Sequence, residues 1–214
     1  MRAVYVEALP GHRTLSDEQL SASMKETLAA KPTGAGWWVF AYGSLLWNPL
    51  FPFVEARLAT LHGLHRRFCI WSLASRGTPD APGLVLGLDR GGSCRGVVYR
   101  LPPAKAQEEF RLLWRREMVT GAYAPRWLAV DCGGRRLVAL GFVVRRDHAQ
   151  YAGKLTIDAQ AEVVASARGA FGSSADYLER TRVALVTHGI VEPYLERLAA
   201  RIAAKRCAAA GEPA

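Results

Sequence analysis

A chain of 214 residues, half of them hydrophobic, can bury one substantial core, and its longest apolar runs, Trp37 to Tyr42 and Leu137 to Val144, are far too short to cross a bilayer. The net charge of +9 is carried almost wholly by arginine, since five of the 28 basic residues are lysine. Four cysteines, at 69, 94, 132 and 207, form no CxxC pair and no cluster with histidine, which excludes a zinc-finger module and a disulfide framework as readings.

The chain opens Met-Arg-Ala-Val-Tyr-Val-Glu-Ala-Leu-Pro, with an acid and a proline where a secretion signal needs an apolar core, so a cytoplasmic protein is expected. Residues 1–36 read as an N-terminal helical extension. Ser16-Asp17-Glu18-Gln19 is a capping box that opens a helix to about Ala30, and Lys31-Pro32-Thr33-Gly34-Ala35-Gly36 breaks it. From Trp37 the pattern turns to strands: a buried run to Tyr42, an alternating segment Val54 to Leu61, and Leu64 to Ser72. Leu84 to Asp89 and Cys94 to Arg100 flank Arg90-Gly91-Gly92-Ser93 and are predicted to form a hairpin. Arg126 to Val130 and Leu137 to Val144 flank a second Gly-Gly turn. Between these lies a helix that Pro103 can start and that Phe110, Leu113 and Trp114 give an apolar face up to about Met118. From Asp158 the pattern is helical in three pieces, broken near Gly169 to Ser173 and at His188-Gly189. A domain over 37–206 and a frayed tail over 207–214 follow. Strands before helices predict an α+β domain with a mostly antiparallel sheet, open or closed.

Three features carry chemistry. Glu117 lies seven residues after Phe110, four after Leu113 and three after Trp114, which puts its carboxylate on the apolar face of the helix. An acid buried beside aromatics has a raised pKa and is either a proton-transfer group or one half of an ion pair, here with Arg115, Arg116 or Arg126. Tyr42-Gly43-Ser44-Leu45 follows a buried strand directly, and a glycine with a small polar residue there lets successive backbone N–H groups converge on a carboxylate or an oxyanion. Ser75-Arg76-Gly77-Thr78-Pro79 is a loop whose arginine can hold a carboxylate, or is a turn with an exposed arginine. Histidines 12, 62, 65, 148 and 188 suggest neither a triad nor a metal site, and Ser44 has no evident base.

Taken together, Trp38-Val39-Phe40-Ala41-Tyr42-Gly43-Ser44-Leu45-Leu46-Trp47, Arg76-Gly77-Thr78-Pro79, Pro82-Gly83, Cys94-Arg95-Gly96, Arg116-Glu117-Met118 with Gly121 and Tyr123, and Ala175-Asp176-Tyr177-Leu178 resemble the ChaC family of glutathione-specific γ-glutamylcyclotransferases over about residues 37 to 200. The resemblance implies a γ-glutamylcyclotransferase-like fold, a small mixed barrel with helices around it. It also implies a lyase reaction without metal or cofactor, in which glutathione gives 5-oxoproline and Cys-Gly. Glu117 matches the catalytic glutamate. The loop Ala41, Tyr42, Gly43, Ser44, Leu45 and Leu46 would bind the γ-glutamyl group, with Arg76, Tyr123 and Tyr177 near the cavity. Ala41 stands where many relatives have glycine, and the 1–36 extension lies outside the match.

Two other readings remain at this point. One keeps the fold and takes another γ-glutamyl amide or amino acid as substrate. The other is a basic nucleic-acid-binding domain. Against that one, the arginine doublets at 66/67, 115/116, 135/136 and 145/146 are scattered, and an inward acid has no role there. The expected partner is a small molecule, with neither nucleic acid nor membrane.

Overall fold

The computed structural model describes residues 14–210, so the first thirteen residues of the expected extension and the last four of the expected tail lie outside the described residues. Helix α1, Asp17–Ala29, begins where the capping box requires. The Gln19 amide donates to Ser16 Oγ at 3.2 Å, and the Ser16 amide donates back to Gln19 Oε1 at 2.8 Å. The helix lies against the rest of the chain. Leu20 and Met24 join the main core, Trp114 donates its indole N–H to Ser23 Oγ, and Trp127 donates to the Thr27 carbonyl at 2.8 Å.

Five strands close a barrel: β1 (Trp38–Ala41), β2 (Glu55–Ser72), β3 (Gly83–Arg100), β4 (Tyr123–Cys132) and β5 (Arg135–Val144), in the order β1-β3-β2-β4-β5. β1 runs antiparallel to β3 and meets β5 in parallel at Val39 and Leu140, which closes the circuit. The sheet is therefore mixed, as the resemblance implies. All four β1 residues are buried, because this strand packs on both faces.

The hairpin expected at Arg90-Gly91-Gly92-Ser93 does not form. β3 continues unbroken through these residues and pairs antiparallel with β2 from end to end, and the segments expected as two strands within 54–72 are one long β2. His62 faces Ser93 and Leu64 faces Arg90, so Gly91 and Gly92 together oppose Gly63, one extra residue that bends both strands. The second Gly-Gly does make a turn. Gly133 and Gly134 have φ of 64° and 85°, the left-handed pair that a tight two-residue hairpin between β4 and β5 demands.

After β3 comes a short 3-10 turn at Pro103–Lys105, then α2, Ala106–Glu117, which sets Phe110, Leu113 and Trp114 into the barrel's core. Three further helices follow: α3 (Ile157–Ser166), α4 (Ser174–Thr187) and α5 (Pro193–Ala210). Between α3 and α4 the chain forms a two-residue-per-strand hairpin, β6 (Arg168–Gly169) with β7 (Gly172–Ser173), where the sequence showed a break. α5 runs on to Ala210, four residues into the stretch expected as frayed. Among the described residues, no helix is long and apolar enough to cross a membrane.

Candidate active site

Glu117 is the last residue of α2, and it borders two adjoining spaces. A small inner recess and an outer cleft of about 410 Å³ share Ser44, Glu117, Tyr123 and Tyr177 as walls. The elements that meet here are distant in sequence: the turn after β1, the end of α2, the start of β4, and the first turns of α4.

Burial raises the Glu117 carboxyl above its ordinary 4.5, and the adjacent Arg116 charge opposes that rise. The carboxylate is 14% exposed and Arg116 Nε lies 3.1 Å from its Oε1. Both readings of the helix pattern thus meet in one residue: the acid is paired with its neighbour and also faces a cavity. No other ion pair or hydrogen bond reaches this carboxylate from the described residues.

Arg116 does more than balance charge. It donates to Ser44 Oγ at 2.7 Å and to the Asn48 carbonyl, tying the end of α2 to the turn that follows β1. That turn, a 3-10 segment Ser44–Leu46, begins at Gly43, and the first amides of such a turn have no carbonyl within it to meet them. Gly43 is required by close approach. A Cβ there would lie 2.9 Å from the Tyr177 hydroxyl, so any side chain would push into the recess. The backbone just before it is held by Arg66, a fully buried guanidinium on β2 that donates to the Tyr42 carbonyl at 2.5 Å and the Arg95 carbonyl at 2.6 Å, and pairs with Glu192.

Three phenols surround Glu117. Tyr42 donates to the Phe142 carbonyl and Tyr123 to the Leu86 carbonyl, both at 2.8 Å. Burial pushes both hydroxyls well above the usual tyrosine value, and the Glu117 charge adds to the effect. Tyr177 is pushed up to about 12 by burial and then by Glu117. All three stay protonated and are available only as neutral hydrogen-bonding groups.

The structure brings Tyr42, Gly43, Ser44, Leu45, Glu117, Tyr123 and Tyr177 to the inner recess, and Arg76 to the outer cleft. Ala41 and Leu46 border neither: Ala41 is buried in β1 opposite Val97, and Leu46 turns into the core on the far side of the turn. Arg76 is not an exposed turn residue. It is 7% exposed, its guanidinium bonds the Phe171 carbonyl, and it lies 5.6 Å from the Tyr177 ring centre and 5.9 Å from that of Trp47. Part of its donor set therefore pins the β6–β7 hairpin beside the cleft. Arg116, Trp47, Gln150 and Arg180 also line the cleft; the sequence named Arg116 only as a possible partner of Glu117 and Trp47 only as part of a motif, and it pointed to neither Gln150 nor Arg180. For Arg116 a signal existed in its adjacency to Glu117.

A family model described as ChaC-like protein matches residues 37–205. The chain is 40% identical over 184 residues to the glutathione-specific γ-glutamylcyclotransferase of Escherichia coli (strain K12), covering 86% of this chain and 80% of that one. It is 31% identical over 148 residues to glutathione-specific γ-glutamylcyclotransferase 1 of Homo sapiens, 67% of each chain. Among solved structures, the yeast γ-glutamyl cyclotransferase specific to glutathione superposes with a TM-score of 0.72 at 26% identity, over 79% of this chain and 96% of that one.

Proposed function

This chain belongs to the ChaC-like family, and from that premise we propose that it cleaves glutathione by intramolecular cyclisation, releasing 5-oxoproline and Cys-Gly, with Glu117 moving the proton. The observation that carries the site assignment is the Glu117 carboxyl: raised by burial, held by one cation, and open to a two-part cavity whose other ionisable walls are phenols and arginines.

In the reaction the substrate's α-nitrogen attacks its own γ-carbonyl carbon. A C–N bond forms to close the five-membered ring, and the C–N bond to cysteine breaks. Both reacting atoms belong to one molecule, so the protein's first task is to hold a folded conformer in which they approach. The recess itself holds only about 20 Å³, room for a carbonyl oxygen and not for the whole group, so the folded γ-glutamyl group lies where the recess opens into the cleft. Glu117 takes a proton from the attacking nitrogen and returns it to the departing cysteine nitrogen, so one carboxyl serves as base and then as acid. A carboxyl with a raised pKa is better matched to both steps than an ordinary one. Charge on the carbonyl oxygen in the tetrahedral intermediate is met by backbone N–H groups at Ser44 and Leu45, which Arg66 and Arg116 hold in place.

The substrate carries a carboxylate at each end, and Arg76, Arg116 and Arg180 line the cleft against a single acid, Glu117. The test is purified protein with millimolar glutathione, with 5-oxoproline and Cys-Gly quantified by mass spectrometry. Equal amounts of the two products from the native chain and a loss of at least about 10²-fold in Glu117→Gln are expected. Unchanged turnover in the variant would sink the role given to Glu117; product absent from both would sink the substrate.

A further inference from the structure

We propose that Arg180 is a specificity-determining residue whose guanidinium receives the glycine carboxylate of glutathione. This rests on the glutathione reading above and asks which group recognises the far end of the substrate.

If the γ-glutamyl group lies where the recess opens into the cleft, with its carbonyl oxygen toward the recess, the Cys-Gly portion must extend along the outer cleft, and its terminal carboxylate must find a cation about two extended residues, roughly 7 Å, beyond the reacting carbonyl. Three arginines line that cleft. Arg116 is engaged by Glu117, Ser44 and Asn48, and Arg76 by the Phe171 carbonyl. Arg180, on the first turns of α4, is bonded to no carboxylate or carbonyl among the described residues, and its one contact is with Trp47, 5.4 Å from the ring centre.

The placement matches the required reach. The Tyr177 ring borders the recess, the Trp47 ring lies 6.1 Å from it, and Arg180 lies over Trp47, one aromatic ring outward from the reacting centre. Trp47 is itself fixed, because its indole N–H donates to Thr181 Oγ1 at 3.2 Å. A guanidinium resting on a fixed indole loses less freedom when it grips a carboxylate than one on a free stem, and its planar fork can engage both oxygens. Beyond Trp47 the cleft passes into a second groove lined by Leu46, Val183 and Ala184 together with Glu179, Thr187 and His188, and Arg180 stands where the two meet, lining both.

The test pairs Arg180→Met with a glutathione whose glycine carboxylate is blocked as the ethyl ester. Methionine keeps an unbranched stem on Trp47 and removes the charge. With the native chain, the ester should show a KM about tenfold above that of glutathione, the loss of one charge-assisted contact near the surface. Arg180→Met should raise the KM for glutathione by the same factor, leave the KM for the ester where it was, and move kcat far less. Arg180→Lys should recover part of the loss. Equal KM values for ester and acid with the native chain, or an Arg180→Met effect of the same size on both compounds, would overturn the assignment while the glutathione reading stands. No 5-oxoproline from either compound with the native chain would overturn both.

Discussion

Two arginine–glutamate pairs hold the same stretch of backbone, one from β2 and one from α2, and they have been put to different uses. Arg66 is the more enclosed of the two arginines, 0% exposed against 9% for Arg116, and beyond Glu192 it spends its remaining donors on the Tyr42 and Arg95 carbonyls. Arg116 and Glu117 are close to the Ser44–Leu46 turn from the other direction, but there the arginine's other bonds go to Ser44 and Asn48, and the glutamate keeps an open side toward the cavity. The same two side chains give a brace in one case and, in the mechanism proposed above, a proton carrier in the other. What separates them is the cavity: the Glu117 carboxylate borders it, which leaves room for a substrate, and burial there raises its pKa.

The comparison can be broken most directly at Glu117. Glu117→Gln should lower kcat by about 10²- to 10³-fold with little change in KM, since the shape of the site is kept. Arg66→Met should do the opposite: removing a buried charge that three acceptors share should cost stability, on the order of 3 kcal/mol by chemical denaturation, with activity in the remaining folded fraction reduced because Tyr42 is released. If Arg66→Met were as stable as the native chain, the brace would be a coincidence of packing. Gly43→Ala sits between them. Its methyl meets the Tyr177 hydroxyl, and kcat/KM should fall roughly 10- to 100-fold. In a Tyr177→Phe background the further loss from Gly43→Ala should shrink, because the two substitutions then share one clash.

The smallest effect is on pH. Glu117 is raised above 4.5 in the folded chain, so the folded state keeps a proton that the unfolded chain has released. Its contribution to stability is complete below 4.5 and is lost as pH rises through the raised value. Asp89, Asp147, Asp158, Asp176 and Glu196 are lowered and tilt the whole chain the other way, so the difference in denaturation midpoint between the native chain and Glu117→Gln is the quantity that should fall as pH rises. Turnover should run the other way, climbing with pH along a limb above 4.5 as the base form appears. A limb at the ordinary glutamate value would mean that burial does not govern this carboxyl.

Much of this could be read from the sequence, and the misreadings have a common cause. The capping box at Ser16 and the Gly133-Gly134 turn are local patterns, and both formed as written. Gly91-Gly92 carries the same local signal as Gly133-Gly134 and became a bulge instead, because the partner of β3 along that stretch is the long β2 and not the next segment of chain. Local chemistry says that the backbone can bend, and tertiary pairing decides whether the bend reverses it. Helix spacing alone turned Glu117 inward beside Leu113 and Trp114. By contrast, the partners of Arg116 at Ser44 and Asn48 are 72 and 68 residues away, and no periodicity reports them. Nor does any pattern say that Ala41 and Leu46, in the middle of a recognisable motif, stay in the core while Gly43 and Ser44 reach the cavity.

Helix α1 has one more consequence, for the order in which a growing chain can assemble. Its holds on the barrel, Ser23 with Trp114 and Thr27 with Trp127, join residues 91 and 100 positions apart, and the Tyr42 hydroxyl waits the same 100 positions for Phe142. At synthesis rates of about 5–20 residues per second, the first helix and first strand spend several seconds without their partners. Such long-separation contacts slow the search for the native state, and during that interval Leu20, Met24 and the four apolar residues of β1 stand in water. The first of the described helices is among the last to be fastened.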